Sequence, residues 1–307
     1  MPPIILHQYD LSPFCEKVRL AFGLKGMEWH AVETPIWPPK PDLVPLTGGY
    51  RRAPVLQLGA DIFCDSSLIL RELERRQPTP SLFPDGQEGL ALVVGWWAEK
   101  LLFFPAATLV TSFIGDQLPP EFVADRKAAM GRDFGQAASL AEQPLNRQRL
   151  HAHLAWLAQM LADGRPFLLG AAASAADLAA YHPLWFARQN GGPEVEALLP
   201  LAPLLDWMAR VVALGHGQRR TMRAEDALDI AQALQPRTAD LPLAEGDPCG
   251  LRPGTSVTVR ADDYAQEPVA GTLVAADAQE IVIRHENDRV GAIHVHFPRA
   301  GYDVVAA

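Results

Sequence analysis

Paired cysteines, an excess of positive charge and long apolar runs are all missing from this sequence. Its three cysteines, Cys15, Cys64 and Cys249, are an odd number without short paired spacing. They favour neither a disulfide framework nor a zinc site, and they fit a reducing compartment. The formal net charge of −9 repels nucleic-acid phosphates and anionic lipids, so we expect neither a nucleic-acid nor a membrane partner. The sequence starts without the basic and apolar regions of a signal peptide, which predicts a cytoplasmic location.

Apolar residues are abundant enough for a sizeable core. They make up 49% of the 307 residues, and charged residues make up 21%, proportions typical of folded proteins. Residues 1–78 alternate short β-type runs with helical ones, residues 86–236 are almost wholly helical, and residues 245–307 hold several short β-type runs. We therefore predict an α/β domain, an all-α domain and a small all-β, barrel-like module.

The segment Ser12-Pro13-Phe14-Cys15 follows the first β-type run and opens a helix. Ser12 is typical of an N-cap and Pro13 of the first helical position. The N–H groups at a helix N-terminus favour an anion, including a thiolate. A plain N-cap without a ligand is the alternative, and Cys15, one turn into the helix, is typical of a small buried apolar residue.

Two further features mark the α/β segment. Pro54 immediately precedes a β-type run, where it indicates a cis peptide bond that leaves the adjoining backbone able to pair with a peptide-like ligand. Asp65 and Ser66 precede a second helix and supply acceptor and donor groups at its N-terminus. An ordinary loop proline and an N-cap without a ligand are the plain alternatives.

Taken in order, the Ser12 helix, Pro54, the Asp65 helix and the all-helical region resemble the glutathione transferase family over roughly residues 3–235. The resemblance implies a thioredoxin-like, glutathione-binding domain, a helical domain and a homodimer. The stretch Ser174-Ala175-Ala176-Asp177 is similar to that family's buried capping box, in which Ser and Asp satisfy each other's backbone donors at a helix start.

The resemblance implies roles around the thiol of glutathione. A free thiol has a pKa of about 8.5, so a hydroxyl donor at a helix N-terminus would raise the thiolate fraction at neutral pH. By position Ser12 is that donor, with Tyr9 as the alternative. Members of this fold that reduce disulfides usually carry cysteine where Ser12 stands, so Cys15 is a further alternative, for a thiol-disulfide reductase.

The other parts of glutathione are assigned in the same way. After the cis proline, Val55 would pair its backbone with the cysteinyl unit, and Asp65 with Ser66 would hold the γ-glutamyl end. The glycyl carboxylate needs a cation, which Arg52 or Lys40 would supply.

The second substrate would meet the glutathione sulfur beside an apolar wall. The candidate wall residues are aromatic: Trp37, Trp97, Phe103 and Phe104. Such a wall suits a small hydrophobic electrophile. Aromatic residues at helical spacing are also typical of a protein core, and this alternative stays open.

The C-terminal residues 245–307 extend beyond the resemblance. They could form a partner-docking module, a dimer contact or a lid. Within them His294 and His296 lie two residues apart in a β-type run and therefore face the same side. No third ligand of suitable spacing is evident, which favours a solvated strand face and predicts no metal.

The sequence therefore predicts a glutathione transferase-like enzyme. It would activate the thiol of glutathione, its co-substrate, for conjugation to an electrophile or for its reduction, as in detoxification. The alternative is a non-catalytic scaffold of the same fold that uses its C-terminal β-module for interaction.

Overall fold

The computed structural model describes residues 2–237, 248 and 250–307, so Cys249 and part of the predicted 245–307 module lie outside the described residues. The strands are β1 (Ile5–Gln8), β2 (Glu28–Glu33), β3 (Val55–Leu58), β4 (Asp61–Cys64), β5 (Gln218–Thr221), β6 (Ser256–Ala261), β7 (Val269–Ala276), β8 (Glu280–Asn287), β9 (Gly291–Pro298) and β10 (Tyr302–Ala306). The α-helices are α1 (Pro13–Lys25), α2 (Val44–Thr47), α3 (Ser66–Arg76), α4 (Glu88–Trp97), α5 (Phe103–Ile114), α6 (Pro120–Met130), α7 (Gln136–Met160), α8 (Ala175–Glu196), α9 (Leu205–Val212) and α10 (Ala224–Ala233).

The chain forms two compact units, each assembled from separate stretches. The sheet unit comprises the described parts of Met1–Tyr9, Glu28–Ile69 and Arg219–Ala307. The helical unit comprises Asp10–Met27 and Leu70–Gln218. These units cut across the three consecutive segments 1–78, 86–236 and 245–307, whose boundaries stay a prediction.

One ten-stranded sheet runs in the order β10-β6-β7-β8-β9-β4-β3-β1-β2-β5. Strand β1 is parallel to β2 and antiparallel to β3, and β3 is antiparallel to β4. The predicted C-terminal strands are present as an antiparallel run from β6 to β10. Strand β9 lies parallel to β4, with Asp61 opposite His294 and Phe63 opposite His296. The C-terminal strands therefore continue the thioredoxin-like strands.

Strand β9 is buried on both faces. Ile293, Val295 and Phe297 lie in the main apolar core of the sheet unit, together with residues of β3, β4, β6, β7, β8, β10 and α10. Because side chains alternate along a strand, His294 and His296 face the other side. The prediction of a solvated face for these histidines was wrong, since they are only 7% and 6% exposed. Pairing with β4 places Asp61 and Phe63 beside the histidines, with the Phe63 ring stacked 4.2 Å from the His296 ring. The sequence of β9 alone does not reveal this pairing.

The predicted helical region is confirmed from α4 to α9, whereas β5 interrupts it at Gln218–Thr221 and α10 belongs to the sheet unit. Helix α1 begins at the N-cap Ser12 and ends at Gly26, whose φ of 60° is the left-handed conformation that glycine tolerates. Helix α8 begins with the predicted capping box of Ser174 and Asp177. Its backbone leaves helical geometry at Gly192, where φ is 68°.

The helical stretch Glu88–Ile114 is long and apolar enough to cross a membrane by length and composition alone. This is weak evidence, because the core helix of a soluble protein passes the same test. A π-helical turn, Ala98–Leu102, interrupts the stretch. Such turns are rare and occur often at functional sites.

Candidate functional site

Ser12 occupies the N-cap of α1 in the helical unit. Its side chain is 1% exposed, and its Oγ accepts a hydrogen bond from the backbone N–H of Cys15 at 3.2 Å. This bond uses a lone pair of the hydroxyl, so the hydroxyl proton remains able to donate. Pro13 at the first helical position lacks an N–H that would otherwise need a partner. The Ser12 hydroxyl is therefore suited to stabilise an anion at this helix start.

Cys15 is packed inside the protein. It is fully buried one turn into α1, which agrees with the interpretation of a small apolar residue. Reactive cysteines typically lie in partly exposed, electropositive surroundings, so burial favours the packing role of Cys15 over a reductase that works through it.

The Ala53–Pro54 peptide bond of the sheet unit is cis, as the sequence indicated. Val55, the first residue of β3, pairs with His7 of β1 on one side and Cys64 of β4 on the other. A residue with a strand on each side has no open edge for a peptide-like ligand. Ala53 precedes the strand and is half-buried, so its backbone lies outside this ladder.

Asp65 stands at the start of α3 with a φ of 76°. Positive φ is disfavoured for a residue with a Cβ, and such strained positions cluster at ligand-binding sites. Its Oδ1 accepts from the N–H of Ser67 at 2.9 Å and from the hydroxyl of Ser67 at 2.7 Å. The adjoining Ser66 is buried as the first residue of α3.

The C-terminal strand β10 reaches this carboxylate. The hydroxyl of Tyr302 lies 3.2 Å from Oδ2 of Asp65 and 3.2 Å from the hydroxyl of Tyr50. Burial raises the pKa of Tyr302 well above its usual range, and the neighbouring Tyr50 and Asp65 add to the rise. Tyr302 therefore stays protonated, and it donates to Asp65 because a carboxylate only accepts.

Arg52 is also engaged by the C-terminal segment. Its guanidinium donates to Oδ1 of Asp263 at 2.5 Å and to the backbone carbonyl of Tyr264, and it stacks 3.8 Å above the Tyr264 ring. Lys40 is buried, with its Nζ 5.8 Å from the centre of the half-buried Tyr9 ring. Of the two cations suggested for the glycyl carboxylate, Arg52 thus already has a carboxylate partner.

The structure divides the predicted aromatic wall. Phe103 and Phe104 contact each other with ring centroids 5.3 Å apart, and Phe103 also lies 4.9 Å from Phe14 of α1. Trp97 instead packs against His153 and Trp156. Trp37 is half-buried in the sheet unit. Within the helical unit, Phe14, Phe103 and Phe104 therefore form one cluster, the Phe103 group. It adjoins the start of α1, which Ser12 caps.

A cluster of polar side chains, Lys17, Glu99 and His182, lies beside Phe14 and was not predicted from the sequence. Lys17 Nζ donates to Oε1 of Glu99, in the π-helical turn, at 2.5 Å. His182 Nε2 lies 4.0 Å from the same oxygen, and neither ring nitrogen of this buried histidine has a hydrogen-bond partner. Burial, helped by the Lys17 charge, lowers the pKa of His182 well below its usual value. These residues are scattered over three helical segments, so no local pattern could have identified them.

Comparison with known proteins supports one family for the N-terminal α/β region and for the helical region that follows it. The family model described as glutathione S-transferase, N-terminal domain, matches residues 6–81, and that of the glutathione S-transferase C-terminal domain matches residues 127–210. No curated protein sequence matches this chain.

Solved structures give matching folds. A GST-like protein from Pseudomonas syringae is 34% identical, with 100% of both chains covered and a TM-score of 0.79. A glutathione S-transferase from Rhodospirillum rubrum F11 is 20% identical, over 69% of this chain and 87% of that chain, with a TM-score of 0.53. The beta-etherase LigF from Sphingobium sp. strain SYK-6 is 15% identical, over 69% and 95%, also with a TM-score of 0.53. The last two show the fold alone, whereas the first match extends through the C-terminal strands, and this chain therefore belongs to the glutathione S-transferase family.

Proposed function

We propose that this protein is a glutathione transferase in which Ser12 stabilises the glutathione thiolate. The thiolate then attacks a small hydrophobic electrophile and forms a thioether as the leaving group departs, or, with a second glutathione, reduces it and yields glutathione disulfide. The position of Ser12 carries the proposal. Its Oγ accepts the N–H of Cys15 at the start of α1, which leaves the hydroxyl proton for a developing sulfur anion. Family membership supports glutathione as the co-substrate, and the Phe103 group supports an apolar second substrate.

The first experiment compares thiol activation in variants. For Ser12→Ala we expect kcat/KM with glutathione and an aryl chloride electrophile to fall by about 100-fold, because one anion-stabilising donor is lost. The dissociation constant for glutathione should change little. Ser112→Ala is the matched control, since its buried hydroxyl donates to the carbonyl of Leu109 and accepts from the side chain of Gln143. We expect wild-type rates for that variant.

Three outcomes decide the assignment. Retained activity in Ser12→Ala together with loss in Tyr9→Phe would transfer the role to Tyr9. Retained activity in both variants would leave the backbone N–H groups of α1 as the stabilising donors. Absence of glutathione binding by the wild-type protein in a calorimetric titration would refute the enzyme and leave the scaffold interpretation.

We assign the γ-glutamyl ammonium to Asp65. A carboxylate has about four lone-pair sites, and the structure uses three of them for Ser67 and Tyr302. A charge-assisted bond is typically about 1.5–3 kcal/mol, so Asp65→Asn should weaken glutathione binding by roughly 10–100-fold. Asp277→Asn, which removes a similar capping carboxylate from the turn before β8, should leave the affinity unchanged.

The backbone partner of the cysteinyl unit is better assigned to Ala53 than to Val55. Both edges of Val55 are already covered by β1 and β4, whereas Ala53 lies outside the ladder. An Ala53→Pro substitution removes the N–H and should weaken glutathione binding more than Ala53→Ser does. Equal affinities for the two variants would contradict this assignment.

Variants of Asp263 and Lys40 test whether Arg52 or Lys40 binds the glycyl carboxylate of glutathione. If Arg52 binds the glycyl carboxylate, Asp263→Asn should tighten glutathione binding, because it removes the competing carboxylate. If Lys40 binds it, Lys40→Met should weaken binding while Asp263→Asn has no effect. Calorimetric titration of both variants distinguishes the two cations.

A second copy of the chain is the partner we propose for the exposed face of α4. Leu90, Val93 and Trp96 recur at helical spacing on that face, and Val93 is 65% exposed. Apolar patches of this kind mark interaction surfaces. Light scattering should give a dimer for the wild type and a monomer for Val93→Asp. Val305→Asp, at an equally apolar exposed position of β10, should stay dimeric.

A further inference from the structure

Three side chains that could bind a metal ion converge between β4 and β9. The parallel register places Asp61 beside His294, and His296 lies two residues further along the same face. Oδ1 of Asp61 is 3.3 Å from Nε2 of His296 and 3.9 Å from Nδ1 of His294. One ligand atom from each residue lies within 4.8 Å of the others, and all three residues are buried.

Two of the three separations are close to those of ligand atoms around a tetrahedral ion, and the third, between the two histidines, is at most 4.8 Å. Zinc binds histidine nitrogen and carboxylate oxygen at about 2.0–2.2 Å, which puts neighbouring ligand atoms roughly 3.3–3.5 Å apart. The Asp61–His296 distance of 3.3 Å falls in this range, and the Asp61–His294 distance of 3.9 Å requires a shift of a few tenths of an ångström. Two imidazoles and one carboxylate favour zinc or a similar transition metal over magnesium or calcium, which prefer oxygen ligands.

Surrounding groups orient the ligand atoms. Nδ1 of His296 lies 2.6 Å from Oε1 of Glu280. A proton on Nδ1 would satisfy that carboxylate and leave the lone pair of Nε2 directed at Asp61, the arrangement typical of a metal-bound histidine. The backbone N–H and the Nε of Arg237 both donate to Oδ2 of Asp61, so Oδ1 is the oxygen that faces the histidines.

His294 distinguishes a metal site from a hydrogen-bonded network of the same side chains. In a network without metal, a protonated His296 would bridge Asp61 and Glu280. Nδ1 of His294 would then stay buried without a hydrogen bond, as it is in this structure. An unpaired buried polar nitrogen costs about 1–3 kcal/mol, and a metal ion uses this nitrogen as a ligand.

We infer that Asp61, His294 and His296 bind one divalent transition-metal ion of the zinc type, with Glu280 supporting His296. Three protein ligands leave a fourth position for water or an exogenous ligand. The ion would join β9 to β4, the strand that leads into Asp65, and so attach the C-terminal strands to the thioredoxin-like strands. This inference does not depend on glutathione binding.

The test uses the full chain without a histidine tag, freed of metal by a chelator that is then removed. Titration with Co²⁺ should give the absorption bands of a tetrahedral ion and saturate at one ion per chain. Zn²⁺ should displace Co²⁺ and raise the melting temperature. His294→Ala and His296→Ala should each weaken Zn²⁺ binding at least 100-fold, and Glu280→Gln should weaken it roughly 10–100-fold.

His285→Ala is the control within the same module, because His285 lies on β8 outside the cluster. It should bind Zn²⁺ like the wild type. If His296→Ala fails to fold, as judged by circular dichroism, His294→Gln replaces it, because Nδ1 of His294 makes no hydrogen bond, whereas both ring nitrogens of His296 do. The metal site would be refuted if the wild-type protein bound neither ion, or if a folded His294 variant bound Zn²⁺ as tightly as the wild type. A hydrogen-bonded network of the same side chains would then remain.

Discussion

Removing the carboxylate of Asp177 should destabilise the helical unit strongly. Asp177 is fully buried at the start of α8. Its Oδ1 accepts the backbone N–H of Leu168 at 2.8 Å and the indole N–H of Trp207 at 2.9 Å. Its Oδ2 accepts the N–H of Ser174 at 2.9 Å and the Ser174 hydroxyl at 2.7 Å. Asp177→Ala therefore leaves several buried donors without an acceptor.

The magnitude follows from these bonds. A buried donor left unpaired costs about 1–3 kcal/mol. The bonds share one carboxylate, and water can enter the vacated space, so the costs are not additive. We expect a total loss of about 4 kcal/mol in the free energy of unfolding, which for a chain of this length lowers the melting temperature by about 6–8 °C. Asp177→Asn keeps one acceptor oxygen and should lose less.

Thermal and urea unfolding followed by far-UV circular dichroism measure this loss. Asp163→Ala is the control, because Asp163 also accepts several hydrogen bonds, all from Arg165, but in an exposed turn. We expect no measurable change for it, since water replaces those bonds. A melting temperature for Asp177→Ala within about 1 °C of the wild type would refute the reasoning, because the unpaired donors alone predict a larger change.

Three further predictions concern other buried charges and histidines. Burial lowers the pKa of His7 to about 4, although the hydrogen bond from its Nε2 to Oε1 of Gln57 opposes the shift. The unfolded chain then binds more protons, so about 3 kcal/mol of stability present above pH 6.5 should be lost as the pH falls towards 4. Urea titrations across this range should show a flatter pH dependence for His7→Gln, and parallel curves would contradict the assignment. The buried Nζ of Lys25 donates to Glu74 at 2.7 Å and to two carbonyls. Lys25→Met should therefore lower the free energy of unfolding by about 3 kcal/mol, and an unchanged urea midpoint would show that the Lys25–Glu74 pair contributes nothing. His182→Leu removes two unpaired ring nitrogens and should raise the unfolding free energy by about 1 kcal/mol, whereas a clear loss of stability would mean that His182 has a partner in solution.

Local signals in the sequence predicted the helix starts correctly. Ser12 followed by Pro13 is an N-cap pattern whose partners lie within three residues, and the structure has that cap. The spacing of Ser174 and Asp177 likewise predicts a capping box that the structure contains. Such features follow from the chain itself, because the hydrogen bonds join residues less than one helical turn apart.

The partners of the candidate glutathione residues were not predictable in this way. Asp65 contacts Tyr302, and Arg52 contacts Asp263, across more than 200 positions of sequence. The sequence had suggested a docking module, a dimer contact or a lid for the C-terminal residues. None of these alternatives anticipated strands that hydrogen-bond to the edge of the thioredoxin-like sheet beside the proposed γ-glutamyl site.

By itself, therefore, the sequence determined the helix caps and the order of α/β, helical and β regions, because these depend on local propensity and hydrophobic period. Its motifs also resemble those of the family to which the chain belongs. Only the tertiary structure decided which groups contact the buried polar residues. His294 and His296 show no third ligand in their own segment, and the parallel pairing of β4 with β9 brings the carboxylate of Asp61 beside them. Strand pairing depends on contacts distant in sequence, and one chain read alone carries no signal for which edges meet.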